Sequence, residues 1–229
     1  MDFLQQYILF VYFYTHTKRL TYLMQFKPFT WQIAWDYLTF RIKFILGMVL
    51  LIAILIFIPR FFLHIEAREG KVLNDWLLAV IPAIDVSTYI FIVIYAIVGL
   101  MLYRMSKNTM MCLTALWAFI FLCSARMISI TLVPLNPPEG LINLADPVLS
   151  FFYRSNLITK DLFFSGHTAT VFLSALCLEA KRDRQIAFIA TGIIAVLLLI
   201  QHVHYTADIL AAPFFTWCCW YLGKSVARL

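Results

Sequence analysis

The sequence predicts an all-α integral membrane protein of six transmembrane helices, and three observations carry that reading. Of 229 residues, 63% are hydrophobic and 13% charged, against about 45–50% apolar and 25% charged in soluble domains. Mean hydropathy is +0.86. The charged residues also gather in patches, and the apolar stretches between them approach the roughly 20 residues that a helix needs to cross a bilayer. No room is left for a separate soluble domain.

Residues 1–43 mix aromatic rings with Lys18, Arg19, Lys27, Arg41 and Lys43, a composition suited to the headgroup layer. They read as a cytoplasmic, interfacial segment. The start of the chain lacks both the positive n-region and the small-residue cleavage site of a signal peptide, so it is expected to be retained. Residues 44–229 form the membrane domain. Its first span is expected at about 44–63, with an uncharged core from Phe44 to Pro59. The second and third follow at 86–103 and 110–131. Three shorter spans bounded by charge follow at 163–179, 185–202 and 204–222. The five cysteines lie within apolar stretches without metal-ligand spacing and read as small hydrophobes.

Lys and Arg set orientation, because cytoplasmic loops carry the excess. With six helices, one side holds twelve and the other six: Arg60, Arg68, Lys71, Arg126, Arg154 and Lys160. Both termini are therefore expected in the cytoplasm, with the long loops 64–85 and 132–162 on the outer face. The same rule accounts for the net charge of +6 and removes the need for a nucleic-acid partner.

Ionisable residues at membrane spans are costly and mark function. His167, in Phe164-Ser165-Gly166-His167-Thr168, and the pair in His204-Tyr205-Thr206-Ala207-Asp208 all fall at outward ends of predicted helices. His204 and Asp208 are spaced i, i+4, which places them on one helical face. Asp208 would then fix the imidazole tautomer and leave the other nitrogen as nucleophile or base. Ser165 and Gly166 at a helix start offer N–H groups and a positive dipole end to a phosphate oxygen, beside which His167 would protonate a leaving alkoxide. The arrangement is that of double-displacement phosphoryl transfer. His16, His64 and His202 read as interfacial surface residues. The His, His, Asp set lacks a third His or Cys at ligating spacing, so neither metal nor cofactor is expected.

The run Lys160 to Thr168, the run His204 to Asp208 that begins 37 residues after His167, and Arg126-Met127-Ile128-Ser129-Ile130-Thr131-Leu132-Val133-Pro134 together resemble the sphingomyelin synthase family of the type 2 phosphatidic acid phosphatase (PAP2) superfamily. The likeness covers about residues 120–225. It implies a PAP2-like bundle of six helices and a metal-independent site on the exoplasmic face. By the resemblance, His204 attacks a phospholipid diester, Asp208 orients it, and His167 protonates the departing diacylglycerol. Ceramide or a similar lipid alcohol then takes the headgroup. Substrate contacts are expected from Arg126, Ser165, Gly166, Asp161, Lys160 and Tyr205. Residues 44–229 become the catalytic domain on this reading.

The sequence departs from the family at Thr159-Lys160-Asp161, where a Cys-Gly-Asp run is common. The wider superfamily's Arg-Pro and Ser-Arg pairs are absent. A phosphate monoester nears two negative charges and a diester carries one, so a monoesterase needs more fixed cations. With mainly Arg126, helped by Lys160, headgroup transfer is favoured. The rivals are a lipid phosphate phosphatase or a phospholipase C-like hydrolase at the same site, an inactive scaffold, and a transporter. Transporter sites lie at the midplane, whereas these residues lie at one face.

Overall fold

A computed structural model describes residues 30–144 and 158–229, and the regular structure there is helical. A short helix α1 (Trp31–Asp36) leads into α2 (Leu38–Ala67), followed by α3 (Ser87–Lys107), α4 (Thr109–Leu132), α5 (Gly166–Cys177), α6 (Lys181–Ile200) and α7 (Thr206–Ala227). Helices α2, α3, α4 and α6 are long and apolar enough to cross a membrane, while α5 is a shorter apolar helix. Six helices beyond α1 is the number expected, although four alone meet the length and hydropathy requirement among the described residues. The first begins at Leu38, ahead of the expected residue 44. Residues 1–29 of the expected segment 1–43, with His16, and the stretch 145–157, with Pro147 and Arg154, lie outside the described residues.

Helices α3 to α7 pack around a common core that includes Ile90, Leu122, Phe164, Val171, Ile194 and Ala212. The most extensive contact joins α4 to α7, and α5 packs on α4, α6 and α7. A small residue explains how close α4 and α7 come. A Cβ on Gly223 would lie 2.5 Å from the backbone nitrogen of Ala118, so the two backbones meet where neither side chain intervenes, a common mode of helix packing in membranes. Helix α2 stands apart. It packs on α1 and α4, and only 6% of its most apolar window is buried, as expected of a helix whose partner is lipid.

The two long loops clasp one another over one end of the bundle. Lys71 N–H donates to Pro134 O at 3.0 Å and Asn136 N–H to Lys71 O at 2.9 Å, forming the isolated parallel bridge between Lys71 and Leu135. The Asn136 amide adds a bond to Gly70 O at 2.8 Å. Tyr205 reaches into this clasp: its hydroxyl donates to Asn136 O at 2.9 Å and accepts from Leu73 N–H at 3.2 Å. Since Tyr205 directly follows His204, the clasp and the candidate nucleophile share one piece of backbone.

Candidate active site

Helix α5 starts where the sequence places its functional turn. Ser165 is the N-cap, accepting from Thr168 N–H at 3.4 Å, so Gly166 and His167 occupy the first turn with its positive dipole end. Helix α4 fixes the approach to that turn. Ser129 Oγ donates to Phe163 O at 2.9 Å and Arg126 Nε donates to Phe164 O at 3.1 Å. The Phe164 ring stacks on Phe215 of α7, with centroids 4.7 Å apart. Ser165 N–H donates to Asp208 O at 3.2 Å. The turn carrying His167 is thereby bonded directly to the turn carrying Asp208.

His204 and Asp208 do meet, but not as two residues on one helical face. Helix α7 begins at Thr206, so His204 precedes the helix and Asp208 is its third residue. Asp208 Oδ2 turns back to accept from Tyr205 N–H at 3.1 Å, the acidic half of a capping box. The same oxygen lies 3.4 Å from His204 Nδ1. That contact is long for a hydrogen bond, as is common in catalytic sites without substrate. Asp208 thus caps the helix while its carboxylate stands beside the imidazole. Nδ1 faces the carboxylate, which leaves Nε2 as the nitrogen available for attack. His204 and Asp208 are buried, at 1% and 0% exposure. His167 is half-buried, and its ring centroid lies 6.2 Å from that of His204.

Arg126 is the cation of this site. Its guanidinium pairs with Asp161 and lies against Gly166, where an added Cβ would overlap it. Only glycine allows the guanidinium so close to the α5 N-terminus. We predict that Gly166→Ala displaces Arg126 and lowers turnover about 100-fold, the scale of a 1 Å misplacement, with the global fold retained. Assay of the purified variant beside its circular dichroism spectrum checks this.

Lys160 faces elsewhere. Its ammonium donates to Arg68 O, and its N–H donates to Glu66 Oε2 at 3.1 Å, as does that of Thr159. The end of α2 holds the segment that leads to Asp161, and the lysine serves that junction. Tyr205, expected at the substrate, is 1% exposed and spends its hydroxyl on the loop clasp.

Three supporting residues escape the sequence reading. His202, expected at the surface, is 7% exposed. Its Nδ1 lies 3.0 Å from Glu139 O and its Nε2 2.9 Å from Ile81 O. A neutral imidazole can donate one such bond and the imidazolium both. Gln201, fully buried, accepts from Val86 N–H at 3.1 Å and donates to Ser87 Oγ at 2.7 Å. Both polar residues interrupt the apolar run ending at Ile200, the visible signal that a pinned turn replaces the helix there.

Asp75 is the third. It accepts from Thr206 N–H at 2.6 Å and from Thr206 Oγ1 at 3.0 Å, and it also takes the Leu77 and Leu78 amides. It therefore caps α7 from a distant loop. Burial pushes its carboxyl up, but the bonds from Thr206, Leu78 and Leu77 outweigh this and hold it below the ordinary value of 3.8. A depressed carboxyl contributes stability above its unfolded pKa and loses it as pH falls through the folded value. Asp75→Ala should cost about 1 kcal/mol, the usual worth of a cap, near pH 7. Its Tm deficit against wild type should shrink below about pH 4. Thermal unfolding from pH 7 to 3 measures both.

Residues 160–225 match the family model described as PAP2 superfamily C-terminal. The match, over 66 of the 229 residues, is a likeness to the PAP2 superfamily. It includes Asp161, Ser165, Gly166, His167, His204 and Asp208, while Arg126 lies upstream of it. Comparison with curated proteins gave no match, and neither did comparison with solved structures.

Proposed function

We propose that the protein transfers a phosphorylated headgroup from a glycerophospholipid to ceramide or a similar lipid alcohol, releasing diacylglycerol. One observation carries the chemistry. His204, backed by Asp208, faces His167 across 6.2 Å at a helix N-terminus overlaid by Arg126. The two rings are close enough for both to reach one phosphate group bound at that terminus.

In the first step His204 Nε2 bonds to phosphorus while the P–O bond to glycerol breaks, and protonated His167 gives its proton to the departing oxygen. The His204 Nδ1 proton stays against Asp208, which offsets the positive charge that develops on the ring. In the second step the alcohol oxygen attacks phosphorus, His167 takes the alcohol proton, and the P–N bond breaks. The catalytic groups return to their starting protonation states. The α5 amides and Arg126 stabilise the charge on the non-bridging oxygens.

A diester fits this electrostatic setting better than a monoester. Arg126 is already paired with Asp161, and Lys160 is committed to Arg68 O, so the net positive charge facing the phosphate is small. The site belongs on the exoplasmic side by the distribution of Lys and Arg.

Label partition tests the proposal. Purified protein in mixed micelles receives a phospholipid labelled at phosphorus, with or without ceramide. Label is expected mainly in a ceramide product, together with diacylglycerol, and a minor water-derived product should grow when ceramide is omitted. Soluble phosphorylated headgroup, released at a rate indifferent to any lipid alcohol, would assign a phospholipase C-like hydrolase. Inorganic phosphate from phosphatidate would assign a phosphatase.

A further inference from the structure

We propose that the end of the bundle opposite the catalytic centre holds a separate binding site for an anionic phospholipid. A cavity of about 690 Å³ lies there between α4, α5, α6 and α7, and its lining includes Met110, Phe188, Trp220, Arg184, Lys224 and Arg228. The separation follows from helix geometry. Gly166 at the start of α5 belongs to the catalytic turn, whereas Cys177 at its end lines the cavity. On α7, Asp208 and Lys224 stand 16 residues apart along the chain, or roughly 24 Å at 1.5 Å per residue.

The charge is unbalanced. Three cations line the cavity, and its acid Glu179 already accepts from Asn108 Nδ2 at 2.9 Å. Arg184, Lys224 and Arg228 make no ion pair among the described residues. Lys224 is held over the Trp220 ring at 4.9 Å, and Lys43 of α2 reaches the Arg228 carbonyl, adding a fourth cation nearby.

The pairing of cations with apolar walls selects the occupant. A soluble anion would leave Met110, Phe188 and Trp220 unused, and a neutral lipid would leave the cations uncompensated. An anionic phospholipid uses both, with its phosphate at the cations and its first methylenes on the apolar walls. The volume lies within the range of ordinary ligand sites. An occupant there would touch all four helices and hold them together at the end remote from the loop clasp.

The test uses full-length protein in neutral detergent with phosphatidylglycerol, phosphatidylcholine or glycerol phosphate. Native mass spectrometry counts retained lipid and thermal unfolding reads its effect. Phosphatidylglycerol should be retained at least tenfold better than phosphatidylcholine and should raise Tm. The triple variant Arg184→Gln, Lys224→Gln, Arg228→Gln should lose that preference. Thr114→Trp keeps every cation but fills the cavity, and it should lose retention as well. Lys181→Gln with Arg182→Gln, which removes neighbouring charge outside the cavity, should keep it. His204→Ala should also keep it, so failure of the catalytic reading leaves this result standing. Equal retention of the two lipids, unchanged retention in the triple variant or in Thr114→Trp, equal loss in the Lys181 and Arg182 variant, or displacement by glycerol phosphate would each overturn the site.

Discussion

His204→Ala is expected to abolish headgroup transfer, with turnover down at least about 10⁴-fold, as for removal of a nucleophile in other covalent sites. No labelled protein should accumulate. The imidazole sits beside buried Asp208 near the α5 N-terminus, and the other nitrogen group held by a carboxylate there, the Arg126 guanidinium paired with Asp161, is not a nucleophile. His167→Ala should fail differently. A general acid contributes about 10²–10⁴-fold, and it does so by protonating a poor alkoxide leaving group. A nitrophenyl phosphodiester, whose leaving group needs no proton, should therefore restore much of the rate to His167→Ala and none to His204→Ala. Rescue of the His204 variant instead would exchange the two roles. The assay is initial rate on natural and nitrophenyl substrates side by side.

Asp208→Asn should cost about 10⁴-fold, by analogy with loss of the orienting carboxylate in other histidine sites. The fold should survive. An amide oxygen can still accept the Tyr205 N–H that now bonds Asp208 Oδ2, so α7 keeps its cap. The chemistry should not survive, because the neutral amide oxygen that keeps the place of Oδ2 beside Nδ1 no longer supplies the charge that holds the proton on Nδ1. The negative charge that offsets the developing imidazolium is lost too. Asp208→Ala should lose activity and also melt earlier, since it removes the cap along with the charge. A rate loss in Asp208→Asn matched by an equally large fall in Tm would mean the residue acts mainly through the fold.

Part of the site's geometry was legible in the sequence because it depends on short segments. Ser165, Gly166 and His167 needed only a helix start, and the structure supplies one at that residue. The His204 and Asp208 spacing was read correctly as a contact but for the wrong reason. Both capping geometry and a helical face bring residues four apart together, and periodicity does not distinguish them when the helix edge falls between the two. Helix positions were legible because uncharged runs such as Phe44 to Pro59 must find lipid or core.

Long-range polar bonds were not legible. Asp75 caps a helix that starts 131 residues later, and Glu66 holds Thr159 across 93. His202 looked like a surface histidine because nothing local shows that carbonyls from two distant loops converge on its ring. Lys160 stood beside Asp161 in sequence and was expected to share its role. The end of α2, distant in sequence, instead engages its ammonium.

The proposed reaction depends above all on a covalent phosphorylated headgroup carried by His204. Purified protein should be mixed with phosphorus-labelled phospholipid without acceptor, quenched in base within a single turnover, and digested for peptide mapping. Label stable to base and released by acid, on the peptide containing His204 and discharged when ceramide is added before the quench, is the predicted result. Label on the His167 peptide, or ceramide product formed at full rate with no labelled peptide at any time, would contradict it.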